Sequence, residues 1–356
     1  MDALAEAMPA TRKKEEVPKW FVLAANLSLK LHLENSFYAF ERVVRCGGLL
    51  SALPPEIASK HLAPQTQQIL LECRGFNDKN HYQRTTPCDQ DFLRKFVREV
   101  PAADWQAWFN GPVQRAFQRD GFFDPAGIFI GDGSYLFVPD NPEYEGSAVM
   151  WFDEHNHPVK YEELSPQERK KAHRERCYKL VSLLHLRGDC YVYAGLAVVP
   201  GNAHECPVLY ELVEQFVKQV GPPSREQYGR RTKIEERHRL LKCFHDLSDF
   251  HSRCFNVIAA QVVFILLSYT LRQWQLGKFR QQDLAGKTPG LLGRQLNLHS
   301  EHVVIYYQNA YTRRPLLTFS RELLELPAQA RARALKRLRH LEQSFLTPLE
   351  NLRVPP

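Results

Sequence analysis

Apolar residues follow different spacings in successive stretches of the chain, and each spacing predicts a different kind of element. Up to about residue 122 they recur at helical spacing, with short helices predicted over 36–46, 64–73 and 87–100. From Gly127 onward short apolar runs lie between turn residues, and strands are predicted over 127–138, 147–152 and 190–199. Helical spacing returns over 206–220 and from Thr232 onward to Gln275. The pattern predicts an α/β core with an α-helical N-terminal region.

These changes of spacing predict three regions along the chain. Residues 1–122 form a helical N-terminal region, a candidate DNA-binding region, and residues 123–275 form the α/β core. Residues 276–356 begin with a connection rich in Gly, Gln and Lys, followed by a strand over Val303–Tyr307 and a basic helix over Arg321–Phe345. Leucines at helical spacing make that last helix amphipathic, so it packs either on the core or on a second subunit, which allows a homodimer.

One apolar stretch has the length of a membrane span. Residues 254–271 carry no charge, and 18 residues is the lower limit for crossing a bilayer. The stretch also contains Asn256, Gln261, Ser268 and Thr270, and a charged helix precedes it directly. These polar residues favour a buried core helix, so no membrane partner is expected.

Composition favours a cytoplasmic protein with a polyanionic partner. The 47 Lys and Arg residues exceed the 40 Asp and Glu residues, which gives a net charge of +7 and a pI near 8.9. This excess is compatible with nucleic acid binding but does not demonstrate it. The eight cysteines include no C-x-x-C pair, a usage that suits a reducing cytoplasm. The N-terminus lacks the apolar run of a signal peptide.

Four side chains with complementary chemistry fall on one face of a predicted helix. With about 100° per residue and Glu235 at zero, Tyr228 lies near 20°, Lys242 near −20° and Arg231 near −40°. A carboxylate is therefore flanked by three side chains of the kind that bind phosphates. Apolar residues that include Ile234 occupy the opposite side, where they would pack inward. The alternative is a solvated helix face rich in charge.

A second candidate lies in the first predicted strand. Asp132 interrupts an apolar run and has Gly131 and Gly133 as neighbours. A carboxylate in an apolar strand is costly unless a partner or ligand offsets its burial, so Asp132 is a candidate metal ligand. The D-G pair equally fits a turn between two short strands.

Together these residues resemble the DDE transposases of the bacterial insertion-sequence-four type. The signature Y-x-x-R-x-x-x-E-x-x-x-x-x-x-K is matched without a mismatch by Tyr228, Arg231, Glu235 and Lys242. Asp132 on the first core strand, the stretch Pro200–Glu205 before a helix, and the long apolar helix after the Glu helix extend the resemblance over about residues 120–275. It implies a ribonuclease-H-like mixed sheet flanked by helices.

The resemblance also implies an activity and a set of site residues. In such enzymes three carboxylates hold two Mg²⁺ or Mn²⁺ ions, which promote in-line displacement at a phosphorus of double-stranded DNA. Asp132 and Glu235 would be catalytic metal ligands, and Tyr228, Arg231 and Lys242 would bind the terminal phosphates of the transposon end. The expected function is DNA transposition through strand cleavage and transfer, by a cytoplasmic bacterial protein that joins the nucleoid when bound to DNA.

The chain departs from this pattern at the second Asp. The family carries it at the end of another core strand before the Glu helix, whereas this chain has only the short interval Gly221–Gln227, without an Asp. Asp189 and Glu205 are the available stand-ins, with ordinary roles as a turn residue and a helix N-terminal carboxylate. The chain is thus expected to be internally deleted and its catalytic activity impaired. The alternative function is a catalytically inactive DNA-binding remnant of a transposase.

Two basic clusters allow two interpretations. Residues 170–176 (KKAHRER) and 331–339 (RARALKRLR) would either follow DNA phosphates or form solvated helix faces.

Overall fold

A computed structural model describes the chain over residues 2–11, 17–40, 43, 88–124, 127–187, 190–221, 231–279, 302–307, 310–315 and 323–336. In these ranges the helices are α1 Asp2–Glu6, α2 Lys19–Leu31, α3 Gln90–Glu99, α4 Ala102–Trp108, α5 Gln114–Arg119, α6 Pro166–Arg169, α7 Glu205–Val220, α8 Arg231–Phe244 and α9 Phe255–Phe279. A π-helical turn over Phe109–Val113 joins α4 to α5, and 3₁₀ turns cover Phe37–Ala39 and Tyr161–Glu163. Residues 323–325 and 328–336 are also helical.

The strands form one five-stranded sheet and one separate hairpin. They are β1 Ile128–Val138, β2 Ala148–Phe152, β3 Pro158–Val159, β4 His173–Arg187, β5 Cys190–Pro200, β6 His302–Tyr307 and β7 Ala310–Pro315. The long strand β4 is central, because it pairs with β1, β2 and β5, while β3 pairs with β2. Among the described strands, β6 and β7 pair with each other in a sheet of their own. The protein is therefore an α/β fold with helices packed on an antiparallel sheet.

Helices cover both faces of the sheet. On one face α7 packs across β4, β5 and β1, and Gly195 of β5 lies against Leu212 of α7. On the other face α8 packs on β1 and α9 packs on β5. An irregularity in the β4–β5 pairing turns Tyr193 toward this second face, where its ring lies 5.8 Å from the ring of Tyr269. The core of the molecule therefore has three layers.

Side chains from the N-terminal region satisfy the edge of β5 that does not pair with β4. The Asn110 amide donates to the Leu196 carbonyl and accepts from the Leu196 N–H, each at 2.9 Å. Gln106 accepts the Val198 N–H at 2.8 Å. Unpaired strand edges invite association with other chains, and these amides occupy that edge instead.

The helix α9 is the main contact between the sheet and the N-terminal helices. It packs on α2, α3 and α4 as well as on β5, and the rings of Trp105 and Phe264 are 5.4 Å apart. Within the described ranges one helical stretch, Phe255–Trp274, has the length and composition to cross a membrane, and 78% of it is buried inside the protein. The residues predicted as a buried core helix do form one.

Two predictions about elements were wrong. The sequence-based interpretation omitted β4 and assigned its first residues to a basic cluster that would either follow DNA phosphates or form a solvated helix face, because His173–Arg176 is strongly charged. The helix predicted over 87–100 begins at Gln90, where Asp89 accepts the Asp91 N–H at 2.7 Å and supplies the cap. The helical region predicted from Thr232 to Gln275 contains the Glu-bearing helix α8 and the long apolar helix α9, as expected.

The mixed sheet is not seen among the described strands, whose pairings are all antiparallel. Only two residues of sequence separate β4 from β5, and connections that short join antiparallel pairs. A parallel strand needs a long crossover, and the segment that follows α7 falls on residues 222–230, outside the described ranges.

Candidate functional site

Asp132 lies in the middle of β1 and not in a turn. The strand continues through it, and Asp132 stands opposite Ser182 of β4 in an unbroken register. Its side chain is buried, with 6% of its surface exposed. The interpretation as a turn residue between two short strands was therefore wrong.

The glycines on either side of Asp132 are explained by crowding on the α7 face. A Cβ atom on Gly131 would fall on the Leu209 side chain, and one on Gly133 would fall on the Glu205 carboxylate. Because neighbouring residues of a strand point to opposite faces, the Asp132 side chain points away from α7. The glycines let α7 approach β1 closely while Asp132 faces α8.

A hydrogen bond joins α8 to the sheet beside Asp132. Ser182 and Asp132 are direct cross-strand partners, so their side chains share a face of the sheet. The Ser182 hydroxyl and Nε2 of His238 are 2.9 Å apart, and both side chains are buried. Arg237, the preceding residue of α8, lies over the Tyr191 ring at 4.3 Å from its centroid. These contacts hold α8 against β4 and β5.

Glu235 and Lys242 lie on either side of His238 along α8. Glu235 comes three residues before His238 and is exposed, whereas Lys242 comes four residues after it and is partly buried. Burial lowers the pKa of Lys242. Burial, and secondarily the Lys242 charge, lower the pKa of His238 to about 3, so its ring is neutral at pH 7. The α8 face beside Asp132 thus combines one carboxylate, one ammonium group and one neutral imidazole.

Two of the four side chains predicted to share one helix face cannot be compared with the structure. Tyr228 lies outside the described residues, and Arg231 is the first residue of α8 but its side chain is likewise outside them. The predicted inward face of α8 is confirmed at Ile234 and Leu241, which are fully buried. The assignment of Tyr228, Arg231 and Lys242 as phosphate ligands stays a prediction.

Glu205 and Asp132 do not belong to one site, although Glu205 lies next to Gly133, the neighbour of Asp132 in the strand. It is the first residue of α7, and its carboxylate is next to Gly133 on the α7 face. The sheet itself therefore separates the Glu205 and Asp132 side chains. Glu205 fits its ordinary role as a carboxylate at a helix N-terminus and not that of a stand-in for the second Asp. Asp189, the other stand-in, lies outside the described residues.

A paired-metal centre needs more ligands than the described residues bring together. No group of three or more His, Cys, Asp or Glu side chains that could hold a metal ion occurs among them. Asp132 and Glu235 provide two carboxylates at most, and the interval expected to carry a third is described only at Gly221. The residues present do not by themselves fit a centre of two Mg²⁺ or Mn²⁺ ions.

The first basic cluster has neighbours that neutralise much of its charge. Lys171 pairs with Glu154 at 3.0 Å, and Arg174 and Arg176 each pair with Asp140 at 3.2 Å. His173–Arg176 begins the strand β4, so the alternative of a solvated helix face was wrong for these residues. In the second cluster residues 331–336 are helical, and residues 337–339 lie outside the described part.

Sequence reasoning missed Ser182 and His238. Ser182 belongs to the strand that was not predicted, and His238 was not among the predicted site residues. The available signal was the apolar run after Arg176, which alternates poorly but is long enough for a buried strand.

Comparisons with protein-family models, with curated proteins and with solved structures found no match to this chain. Any functional assignment therefore depends on the residues and contacts of the site itself.

Proposed function

We propose that this chain is a DNA-binding protein with the ribonuclease-H-like core of a DDE transposase. The observation that carries the proposal is the packing of α8 on β1 over the face that bears Asp132, with the Ser182–His238 hydrogen bond at the contact. Support also comes from the element order, in which the five antiparallel strands of the sheet precede α7 and the Glu-bearing helix α8.

The proposed role of this site begins with binding a DNA end. Lys242 offers a point charge for a phosphate, and Arg231 would offer a planar fork that suits two phosphate oxygens. The net charge of +7 favours approach to the polyanion. Strand cleavage and transfer would additionally need the three-carboxylate centre implied by the resemblance.

The second candidate function is a catalytically inactive remnant that still occupies DNA ends. This function is favoured because the site offers two candidate carboxylates, Asp132 and Glu235, and no group of three metal-binding side chains occurs among the described residues. Such a protein would compete with an intact enzyme for the same ends without cutting them.

One set of assays separates these functions. The probes are supercoiled plasmid and duplexes taken from the DNA that flanks the gene, each incubated with Mg²⁺ or Mn²⁺. A transposase nicks them, and Asp132→Asn and Glu235→Gln each abolish nicking, while the control Glu236→Gln on the same helix does not. A remnant binds the duplexes but nicks none of them.

Binding is tested on the same duplexes by fluorescence anisotropy. Arg231→Ala and Lys242→Ala should each weaken binding about tenfold. Each should also reduce the slope of the logarithm of the binding constant against the logarithm of the salt concentration by about one, as expected for one lost phosphate contact. Lys233→Ala, an exposed change on the same helix, should have little effect. Unchanged binding in both Arg231→Ala and Lys242→Ala would refute the proposed phosphate contacts.

A further inference from the structure

A polar cleft of about 300 Å³ lies where the N-terminal helices meet the start of α9. Its lining includes Arg94 and Arg98 of α3, His251 and Arg253 of the segment before α9, and Glu143 and Glu145 of the segment between β1 and β2. Three guanidinium groups and one imidazole therefore converge on a cavity that also contains two carboxylates.

The two carboxylates already have partners. Glu143 forms an ion pair with Arg253. Glu145 accepts the N–H of Phe255, the first residue of α9, at 3.0 Å. It thereby satisfies one of the N–H groups that every helix leaves free at its start. Three guanidinium groups against two carboxylates leave the cleft with an excess of positive charge, and within the described part of the chain neither carboxylate forms a salt bridge with Arg94 or Arg98.

Arg94 and Arg98 are well arranged to act together. They are four residues apart on α3, so they lie one turn apart on the same helix face. Arg94 pairs with Asp91 at 3.3 Å, but the Arg94 and Asp91 side chains are 47% and 52% exposed. Such an exposed pair contributes little and is easily exchanged for a stronger partner. No salt bridge involving Arg98 occurs within the described part of the chain.

The cleft is separate from the site around Asp132. The Tyr178 hydroxyl donates to the Glu145 carbonyl at 2.6 Å, which ties the cleft to the first half of β4. Tyr178 stands opposite Leu136 of β1, four residues beyond Asp132. At about 3.3 Å per strand residue the cleft and Asp132 are displaced by roughly 13 Å along β1.

We propose that this cleft binds a phosphate group through Arg94 and Arg98. Two guanidinium forks from neighbouring helix turns match the oxygens of one phosphate or of two adjacent phosphates. The Ser252 side chain, which accepts the Cys254 N–H at 3.2 Å, retains its hydroxyl proton as a further donor. The phosphate belongs either to a nucleic acid backbone or to a small free anion. This proposal does not depend on catalysis at Asp132.

The test uses the full chain with Arg94→Gln and Arg98→Gln combined, and Lys95→Gln as the matched control. Lys95 is an exposed cation of the same helix that does not line the cleft. Urea unfolding midpoints that agree with the unaltered protein establish that both variants fold. The probes are a fluorescent DNA duplex and inorganic phosphate.

Two results would support the proposal and identify the source of the phosphate. If the backbone is the source, the double variant binds the duplex about tenfold more weakly and its salt slope falls by about two. If a free anion is the source, millimolar inorganic phosphate raises the melting temperature of the unaltered protein and of Lys95→Gln but not of the double variant.

The proposal is overturned if the folded double variant matches the unaltered protein with both probes. That outcome is distinct from failure of the proposed function, since Lys242→Ala leaves the cleft intact. Lost duplex binding in Lys242→Ala, together with a double variant that matches the unaltered protein with both probes, would reject the cleft alone.

Discussion

At the scale of single residues, His245 is a buried histidine whose surroundings disfavour its protonation. Both of its ring nitrogens lack hydrogen-bond partners among the described residues, and 2% of its surface is exposed. Burial lowers its pKa to about 3, and the nearby charges of Arg272 and Lys30 act in the same direction. Lys30 is itself buried, which lowers its pKa to about 7. The folded protein therefore holds His245 neutral.

We expect His245→Leu to remove an acid-sensitive contribution to stability. The unfolded chain protonates this histidine near pH 6.5, and the folded protein only near pH 3. Its contribution is thus fully present above pH 6.5 and is lost progressively as the pH falls toward 3. At pH 5 the loss amounts to about 2 kcal/mol. Between pH 8 and pH 5, the free energy of unfolding of the unaltered protein should fall by about 2 kcal/mol more than that of His245→Leu.

Urea unfolding at both pH values, followed by circular dichroism, measures this difference. The control is His155→Leu, a change at an exposed histidine, which keeps His245 in place and should therefore retain the fall between pH 8 and pH 5. An unfolding free energy of His245→Leu that falls as steeply between pH 8 and pH 5 as that of the unaltered protein would contradict the buried, neutral histidine.

At the scale of elements, Asn110 protects the outer edge of the sheet. Its amide makes two hydrogen bonds to Leu196, and both partners are buried. Asn110→Ala would leave an N–H and a carbonyl of β5 unpaired in the interior. Each such group costs about 1–3 kcal/mol, so we expect a loss of about 2–4 kcal/mol in the free energy of unfolding.

Two further variants calibrate this prediction. Gln106→Ala removes one hydrogen bond to the same strand and should cost about half as much. Gln118→Ala changes an exposed amide of α5 and should stay within about 0.5 kcal/mol. Urea midpoints rank the three variants, and light scattering reports whether the exposed edge promotes association. Equal stability of Asn110→Ala and Gln118→Ala would show that the edge is satisfied in another way.

The elements also show where sequence patterns are informative. The strands β1 and β5 and the helix α9 were predicted because their apolar runs are long and bounded by turn residues or charge. The strand β4 was not predicted, since its first four residues are polar or charged, and two of them, Arg174 and Arg176, form ion pairs with Asp140, which is distant in the sequence. Periodicity identifies an element by its buried face and cannot detect a strand whose first residues lie at the surface.

The site shows the same limit. Asp132, Glu235 and Lys242 could be selected because their chemistry is unusual for their positions. The contact between Ser182 and His238 joins residues 56 positions apart. No local pattern encodes such a pairing, which arises only when the packing of α8 on the sheet fixes the register.

At the scale of the whole molecule, the N-terminal helices and the sheet share one apolar core. Buried residues of α1, α2, α3 and α4 belong to the same cluster as those of β1, β4 and α9. Phe264 of α9 contacts both Trp105 and Trp108, with ring centroids 5.4 and 6.0 Å away. The Asn256 side chain accepts the Ala102 N–H and donates to the Arg98 carbonyl, each at 2.9 Å. The predicted boundary near residue 122 thus coincides with extensive packing.

We therefore expect that residues 123–356 do not fold without residues 1–122. Removal of the N-terminal helices would expose one side of α9 and leave Leu196 of β5 without its Asn110 partner. The fragment should lack a near-ultraviolet circular dichroism signal and a cooperative urea transition. In the full chain Trp105→Ala should lower the free energy of unfolding by about 3–5 kcal/mol, since the same packing is removed at one position. A soluble fragment with a cooperative transition, together with a mild effect of Trp105→Ala, would instead favour a core that folds independently at the predicted boundary.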